Sequence, residues 1–371
     1  MSYNRIMNRT RKIGFAVATT VGVLLLVEFV LRLAAPSGGL IQGTPEPTEG
    51  DSQAIMMRGS PFLLWELAPG ERQGPGGVVS INSDGFRDKE RGRKGVPRVL
   101  ALGDSSVYGF GVGDSDVFTA RLESEFDAEF INGGVPGYSS TQAANLLWGR
   151  GLALDPDVLL VSTLWSDNNF DTFVDANQIA TYAAWRRTGA ASVQAVLEHS
   201  AIYRSLEYRM RVQEPGRVSW MELKRQSPSG NRRVPIADYA RNLANFCRTM
   251  ADRNGGVVFV ILPNRDDLTR QEKNPPWVPY RQVMRDTAKA CGAPLVDLPA
   301  AFSQQGQTFL FLDEMHPSQP GHALMAKTIG DTLRGLGWPQ TPIRVHAPSQ
   351  PVVPPADPFE GNGNQLGLFG G

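Results

Sequence analysis

The sequence predicts an α/β domain built on a parallel sheet and preceded by a membrane-spanning helix. Three observations carry that expectation. From residue 98 onward, short continuous apolar runs alternate with segments of helical spacing, the pattern of strands buried on both faces and covered by helices. Near the N-terminus a basic, acid-free stretch leads into a long apolar run. Across all 371 residues, 41% hydrophobic, 20% charged and 9% aromatic content is that of a folded globular chain.

The elements follow in order. Residues 1–12 carry Arg5, Arg9, Arg11 and Lys12 and are expected to stay in the cytoplasm. Residues 13–27 are an apolar run, continued by Glu28–Ala35 until Pro36 ends any helix; about 23 residues in all (13–35) suffice to cross a hydrocarbon core near 30 Å. Glu28 and Arg32 stand four apart and can pair on one helical face. The run ends Leu33-Ala34-Ala35-Pro36, a poor cleavage site, so an uncleaved signal anchor is preferred over a cleaved signal peptide. A single-pass protein results, with everything after Pro36 extracytoplasmic (periplasmic in a Gram-negative cell).

Residues 36–95 are rich in Gly and Pro and are expected to form a spacer and the domain edge. The domain proper is expected over 96–345. Arg98–Leu102 is its first strand, Asp116–Phe126 a helix, Glu129–Asn132 a short strand, and Ser140–Leu152 a helix capped by Ser139 or Ser140. Asp157–Thr163 is a buried strand, followed by a mostly helical insertion over about 171–233. Ile236–Arg253, Arg281–Ala290 and His322–Leu336 are expected helices; Gly256–Leu262 and Pro294–Leu298 are expected strands, and Thr308–Leu312 is strand-like. Residues 346–371, Pro- and Gly-rich, are expected to be disordered.

Several chemistries are disfavoured by composition. Lys+Arg 37 against Asp+Glu 37 gives a formal net charge of +0, and no basic block offers a footprint for nucleic acid. Cys247 and Cys291 are too few for a thiolate zinc site; buried free thiols are expected, a disulfide being the alternative. The cluster Asp167, Asn168, Asn169, Asp171 and Asp175 lacks the glycine and terminal glutamate of a calcium loop, so no metal is expected. Gly109-Phe-Gly111-Val-Gly113 has the wrong spacing for a nucleotide loop and reads as a turn. Trp148, Trp165, Trp185, Trp220 and Trp277 read as packing residues before they read as a sugar platform.

Parallel sheets place their sites beyond the carboxyl ends of the strands. There the first strand runs into Gly103-Asp104-Ser105-Ser106, a strand-to-helix turn at which backbone N–H groups can meet a developing oxyanion. Asp313 and His316, three residues apart, can share one face of a turn, so that the carboxylate holds the imidazole in one tautomer. A serine hydroxyl needs such a partner to act as a nucleophile at neutral pH. Of the other histidines, His199 lies in the insertion, His322 on the closing helix and His346 in the tail. Asp104 is expected to shape the turn around Ser105.

These blocks resemble the SGNH, or GDSL, hydrolase superfamily over about Asn82–Trp338. Gly103-Asp104-Ser105 is similar to its nucleophile block, Asn132-Gly-Gly-Val-Pro-Gly137 to its glycine block and Asp313-x-x-His316-Pro to its Asp/His block. Asn82-Ser-Asp-Gly-Phe-Arg87 and residues 234–243 resemble segments of membrane-anchored bacterial members. The resemblance implies a three-layer α/β/α, flavodoxin-like fold, with Ser105 as nucleophile, His316 as general base and Asp313 as its orienter. It implies an oxyanion hole from the N–H groups of Ser105 and Gly137, and no cofactor. The family's Gly-x-Asn-Asp block is altered here to Leu164-Trp165-Ser166-Asp167, followed by Asn168. Ungapped spacing puts Ser166 at the asparagine position; Asn168 is slightly favoured as the third donor. The implied activity is a serine esterase on an ester-bearing substrate, with O-acyl groups of a polysaccharide suggested by the extracytoplasmic location. An O-acyltransferase with the same triad, or a non-catalytic scaffold binding a glycan or partner, are the alternatives; substrate identity and oligomeric state are not legible.

Overall fold

The computed structural model describes residues 2–34, 57–60, 62–171, 173–187, 193, 200, 202, 231–269 and 275–357, with the side chains of 2–10, 31–34, 185, 186 and 269 excluded. The chain forms two compact units: residues 1–45 with 183–215, and residues 46–182 with 216–371.

The first unit is built on helix α1 (Ser2–Ala34). Arg11–Val30 within it has a mean hydropathy of 2.2 and no buried residue, so α1 is long and apolar enough to cross a membrane. Glu28, the one acid in that stretch, accepts hydrogen bonds from the Ser200 hydroxyl (2.8 Å) and the Ile202 N–H (3.1 Å), partners from the insertion that spacing alone does not reveal. The side chain of Arg32, its expected partner, lies outside the described residues.

The second unit begins with two hairpins inside the segment read as a spacer: β1 (Met57–Ser60) with β2 (Leu64–Leu67), then β3 (Gly70–Gly74) with β4 (Gly77–Ile81). There follow β5 (Arg98–Gly103), the one-turn helix α2 (Ser105–Tyr108), α3 (Phe118–Glu125), β6 (Glu129–Gly134), α4 (Ser140–Gly149) and β7 (Val158–Ser162). Next are α5 (Trp165–Asn168), β8 (Phe170–Asp171), α6 (Asp175–Arg186) and β9 (Asn231–Arg232). The chain closes with α7 (Ile236–Ala251), β10 (Gly256–Ile261), α8 (Asp266–Thr269), α9 (Val278–Cys291), β11 (Leu295–Asp297), α10 (Leu298–Gln305) and α11 (Gln319–Gly335).

The central sheet has the order β11-β10-β7-β5-β6, and every pairing is parallel. Its strands are apolar runs because both faces are covered: every residue of β5, β7 and β10 is buried. Helices α4, α7 and α9 pack on one another, as do α3, α10 and α11, giving a helical layer on each side of the sheet. This is the expected three-layer α/β/α arrangement.

Three expectations need correction. Thr308–Leu312 is not a strand; Thr308–Leu310 is a 3-10 turn, and Phe311 makes only an isolated bridge to Pro317. The segment joins no sheet, and the Leu312 N–H closes the loop that carries His316. Cys247 and Cys291 are not free thiols but form a disulfide, because α7 and α9 pack side by side and bring their Cα atoms to 6.2 Å. The tail is ordered through residue 357: Asp357 is buried and paired with Arg232 through two hydrogen bonds (2.8 and 2.9 Å); residues 358–371 lie outside the described residues. The insertion opens and closes on the antiparallel pair β8–β9, with α6 as its first helix; 188–192, 194–199, 201 and 203–230 lie outside the described residues, as do His199 and Trp220.

Candidate active site

The register of the sheet sets the site. Gly103 lies opposite Gly134 of β6 and Ser162 of β7, so three strands end together and release their loops on one edge. The first loop is the β5–α2 turn. Asp104 caps α2: its Oδ1 accepts the Ser106 N–H (2.9 Å), and its Oδ2 accepts the Trp165 N–H (3.2 Å) from the β7 loop. Burial pushes the Asp104 carboxyl up to about 6, against those two amides and the His316 charge. Asp104 thus joins two loops and fixes Ser105 at the first position of the turn, as its place in the sequence suggested.

Gly134 needs its missing side chain here, since a Cβ would lie 2.2 Å from the Tyr108 nitrogen of α2. Asn132 ties the same junction, donating to the Val107 carbonyl (2.9 Å) and accepting the Gly134 N–H (2.9 Å). Gly137 has φ +79, a conformation that other residues adopt only with strain. The loop then enters α4 through a capping box, with Ser139 as N-cap and Gln142 reaching back to it.

Asp313 and His316 come from the tight loop before α11, closed by the Leu312 N–H on the His316 carbonyl (2.8 Å). The Asp313 Oδ1 accepts the N–H groups of Met315 and His316, both at 2.8 Å, while Oδ2 lies 2.6 Å from His316 Nδ1. His316 Nε2 lies 2.8 Å from Ser105 Oγ. Burial acts against the Asp313 charge, but the imidazole hydrogen bond, the His316 charge and the two amides outweigh it and hold the carboxyl below its ordinary value. An ionised Asp313 fixes the proton on Nδ1, leaving Nε2 to accept the Ser105 hydroxyl proton. Phe110 lies over the imidazole at 4.5 Å between ring centroids.

Among the described residues, neither the Ser105 nor the Gly137 N–H has an acceptor within the protein. The two candidates for a third donor differ. Asn168 directs its side-chain N–H groups back into its own turn, to the carbonyls of Leu164 (2.9 Å) and Trp165 (3.0 Å). Ser166 is buried, and its hydroxyl makes no hydrogen bond among the described residues. His322 is fully buried against Phe118, and burial depresses it to about 3, which makes it a neutral packing residue. Among the described residues no group of three or more His, Cys, Asp or Glu could hold a metal ion.

Three supporting residues were not singled out by sequence reasoning. Arg87 is buried and donates to the carbonyls of Tyr108 (2.8 Å), Gly109 (2.6 Å) and Val112 (2.6 Å), fixing the loop that carries Phe110. Its signal was available, because it closes the Asn82–Arg87 block. Trp65 of β2 and Arg233, at the end of the insertion, both bond to the Gly137 loop. No motif marks either one.

Comparison with known proteins gives the family. Residues 101–324, well over half the chain, match the GDSL-like lipase/acylhydrolase family model. No curated protein matches. Among solved structures, an acetylxylan esterase from Geobacillus stearothermophilus is 16% identical, covering 67% of this chain and 97% of its own at a TM-score of 0.41. An α/β hydrolase enzyme from the metagenome of Lake Arreo, Spain, is 17% identical, covering 65% and 96% at a TM-score of 0.44. A lipase/acylhydrolase from Enterococcus faecalis is 16% identical, covering 64% and 96% at 0.39. The matched segment spans the Gly103-Asp104-Ser105 turn and the Asp313–His316 loop, and the chain belongs to the GDSL-like lipase/acylhydrolase family of serine ester hydrolases.

Proposed function

We propose that this chain is a membrane-anchored, extracytoplasmic serine esterase in which Ser105, His316 and Asp313 form the catalytic triad. The observation that carries the reading is the unbroken hydrogen-bond chain from Ser105 Oγ through His316 to Asp313, at 2.8 and 2.6 Å, beside two N–H groups with no internal acceptor. His316 Nε2 takes the Ser105 proton as Oγ attacks the ester carbonyl. The negative charge on the carbonyl oxygen is met by the N–H groups of Ser105 and Gly137. His316 then returns the proton to the leaving alcohol, which departs and leaves an acyl-serine. Water, deprotonated by the same imidazole, attacks the acyl carbonyl, and the imidazolium hands the proton to Ser105 Oγ as the acid departs. Asp313 orients the ring and stabilises the imidazolium in both halves.

We assign the third oxyanion donor to Ser166. It occupies the ungapped position of the altered block and its hydroxyl is uncommitted, whereas both amide hydrogens of Asn168 are held by carbonyls. A hydroxyl can donate to an oxyanion once its rotor is held.

The apolar helix α1 and its basic flank support an anchor whose N-terminus is cytoplasmic. On that topology the substrate class is an O-acyl ester of an extracytoplasmic glycan. The test is acetyl release from acetylated oligosaccharides and from p-nitrophenyl acetate by the full chain in membranes, with protease shaving to orient the domain. Wild-type release abolished by Ser105→Ala supports the esterase reading. Acetylated acceptor sugar in excess of free acetate would instead mark an acyltransferase, and undiminished release by Ser105→Ala would remove the triad.

A further inference from the structure

We propose that Trp65 and Arg233 are positioning residues that lock the Gly137 peptide so that its N–H faces the oxyanion; the proposal rests on the esterase reading above. Trp65 Nε1 donates to the Pro136 carbonyl at 3.0 Å. That carbonyl and the Gly137 N–H are the two ends of one planar trans peptide, so they point in opposite directions. Holding the carbonyl against the indole therefore aims the N–H away from it. Donation to a carbonyl also polarises its peptide, which strengthens the N–H as a donor in turn.

The next peptide is held from another side. Arg233 Nη1 donates to the Gly137 carbonyl at 2.8 Å. Gly137, at φ +79, is thus pinned on both flanking planes, where an unsupported glycine would have more freedom than any other residue. The space beside it is filled as well, since a Cβ on Gly137 would lie 3.0 Å from Trp65 Cζ2.

Both clamps are themselves fixed. The Trp65 carbonyl accepts the Tyr138 hydroxyl (2.6 Å), and the two rings meet edge to face with centroids 6.0 Å apart. Leu64, immediately before Trp65, has φ +65, a left-handed conformation that a leucine side chain disfavours. Arg233 is buried, bonds both oxygens of the fully buried Asp175 (2.9 and 2.7 Å) and the Gln142 carbonyl oxygen (2.8 Å), and lies 5.5 Å over the Trp65 ring. Asp175 and Arg233 stand at the two ends of the insertion, where the Asp175 N–H also donates to the Arg233 carbonyl (2.9 Å). The base of the insertion is in this way tied to the peptide that meets the oxyanion.

The test is Trp65→Phe, which keeps an aromatic side chain but removes the Nε1–H together with part of the indole, with Arg233→Lys as the second variant. Both are made in the full chain, with Ser105→Ala alongside. Rates of p-nitrophenyl acetate hydrolysis are normalised to active sites titrated with a fluorophosphonate, so that only folded protein counts. Losing a whole oxyanion donor costs about 10²–10³ in rate, so a misaimed one should lower kcat about tenfold with KM within about twofold. A kcat per titrated site equal to wild type in both variants, or a rise in KM alone, overturns the proposal. Should Ser105→Ala retain activity, the esterase reading itself fails. A dead Ser105→Ala beside fully active Trp65→Phe and Arg233→Lys removes this inference only.

Discussion

Asp167 offers a quantitative check on how the site is built, because its cost can be worked from its surroundings. It lies between Ser166 and Asn168 in α5, fully buried; its Oδ1 accepts the Ser140 N–H at 2.8 Å, and its Oδ2 has no hydrogen-bond partner among the described residues. Burial pushes the carboxyl from its usual 3.8 to about 8; the bonds from Ser140 and the Arg233 charge oppose this and the Asp175 charge adds to it. Asp167 is therefore neutral in the folded protein at pH 7. A raised carboxyl binds its proton more tightly in the fold than in the unfolded chain, so its contribution to stability is full below about pH 4. It is lost at about 1.4 kcal/mol per pH unit as pH rises toward 8. Between pH 5 and pH 7 that amounts to about 3 kcal/mol. Asp167→Asn abolishes this linkage, and any penalty for the new amide is the same at both pH values. The melting temperature of the variant minus that of wild type should thus increase by roughly 4–5 °C between pH 5 and pH 7, for a folding unit of about 290 residues. Thermal unfolding of the detergent-solubilised chain at the two pH values measures it. An unchanged difference would mean that Asp167 is ionised in the fold, and the account of this loop would be wrong.

Three further outcomes are expected. Asp313→Asn should lower kcat by about 10³–10⁴ with little change in KM, since an amide cannot hold the proton on Nδ1 or stabilise the imidazolium; steady-state kinetics decide it. Ser166→Ala should lower kcat by about 10²–10³ while Asn168→Ala mainly lowers the melting temperature, and the reverse pattern would return the third donor to Asn168. Replacing both cysteines of the Cys247–Cys291 bridge by serine should lower unfolding free energy in urea by about 4 kcal/mol, from the 44-residue separation it closes; equal stability would refute a bridge in solution.

The sheet and the three family blocks were legible because each rests on local chemistry: continuous apolar strands, a strand-to-helix serine turn, and an Asp/His pair three residues apart. The boundaries Arg98–Gly103 and Gly256–Ile261 lie within a residue of those expected. What failed depended on contacts distant in sequence. Whether two cysteines 44 residues apart form a bridge depends on how α7 and α9 pack, which periodicity does not encode. Asp357 sits in a Pro-rich tail that reads as disordered until the buried Arg232 is seen to need a partner. Trp65 reaches the Pro136 carbonyl across 71 residues and Arg233 the Gly137 carbonyl across 96, with no local pattern at either end, and only folding reveals them. The sequence left Asn168 and Ser166 both open as third donor; that the Asn168 amide bonds the carbonyls of its own turn is a feature of the one-turn helix that spacing alone does not reveal.

The most direct measurement is to treat the full chain with a fluorophosphonate and locate the adduct by peptide mass spectrometry. The account predicts a single phosphonylated residue, Ser105, with labelling lost in Ser105→Ala and reduced at least a hundredfold in His316→Ala. Ester hydrolysis that persists while Ser105 stays unmodified, or an adduct on a different residue, would contradict it.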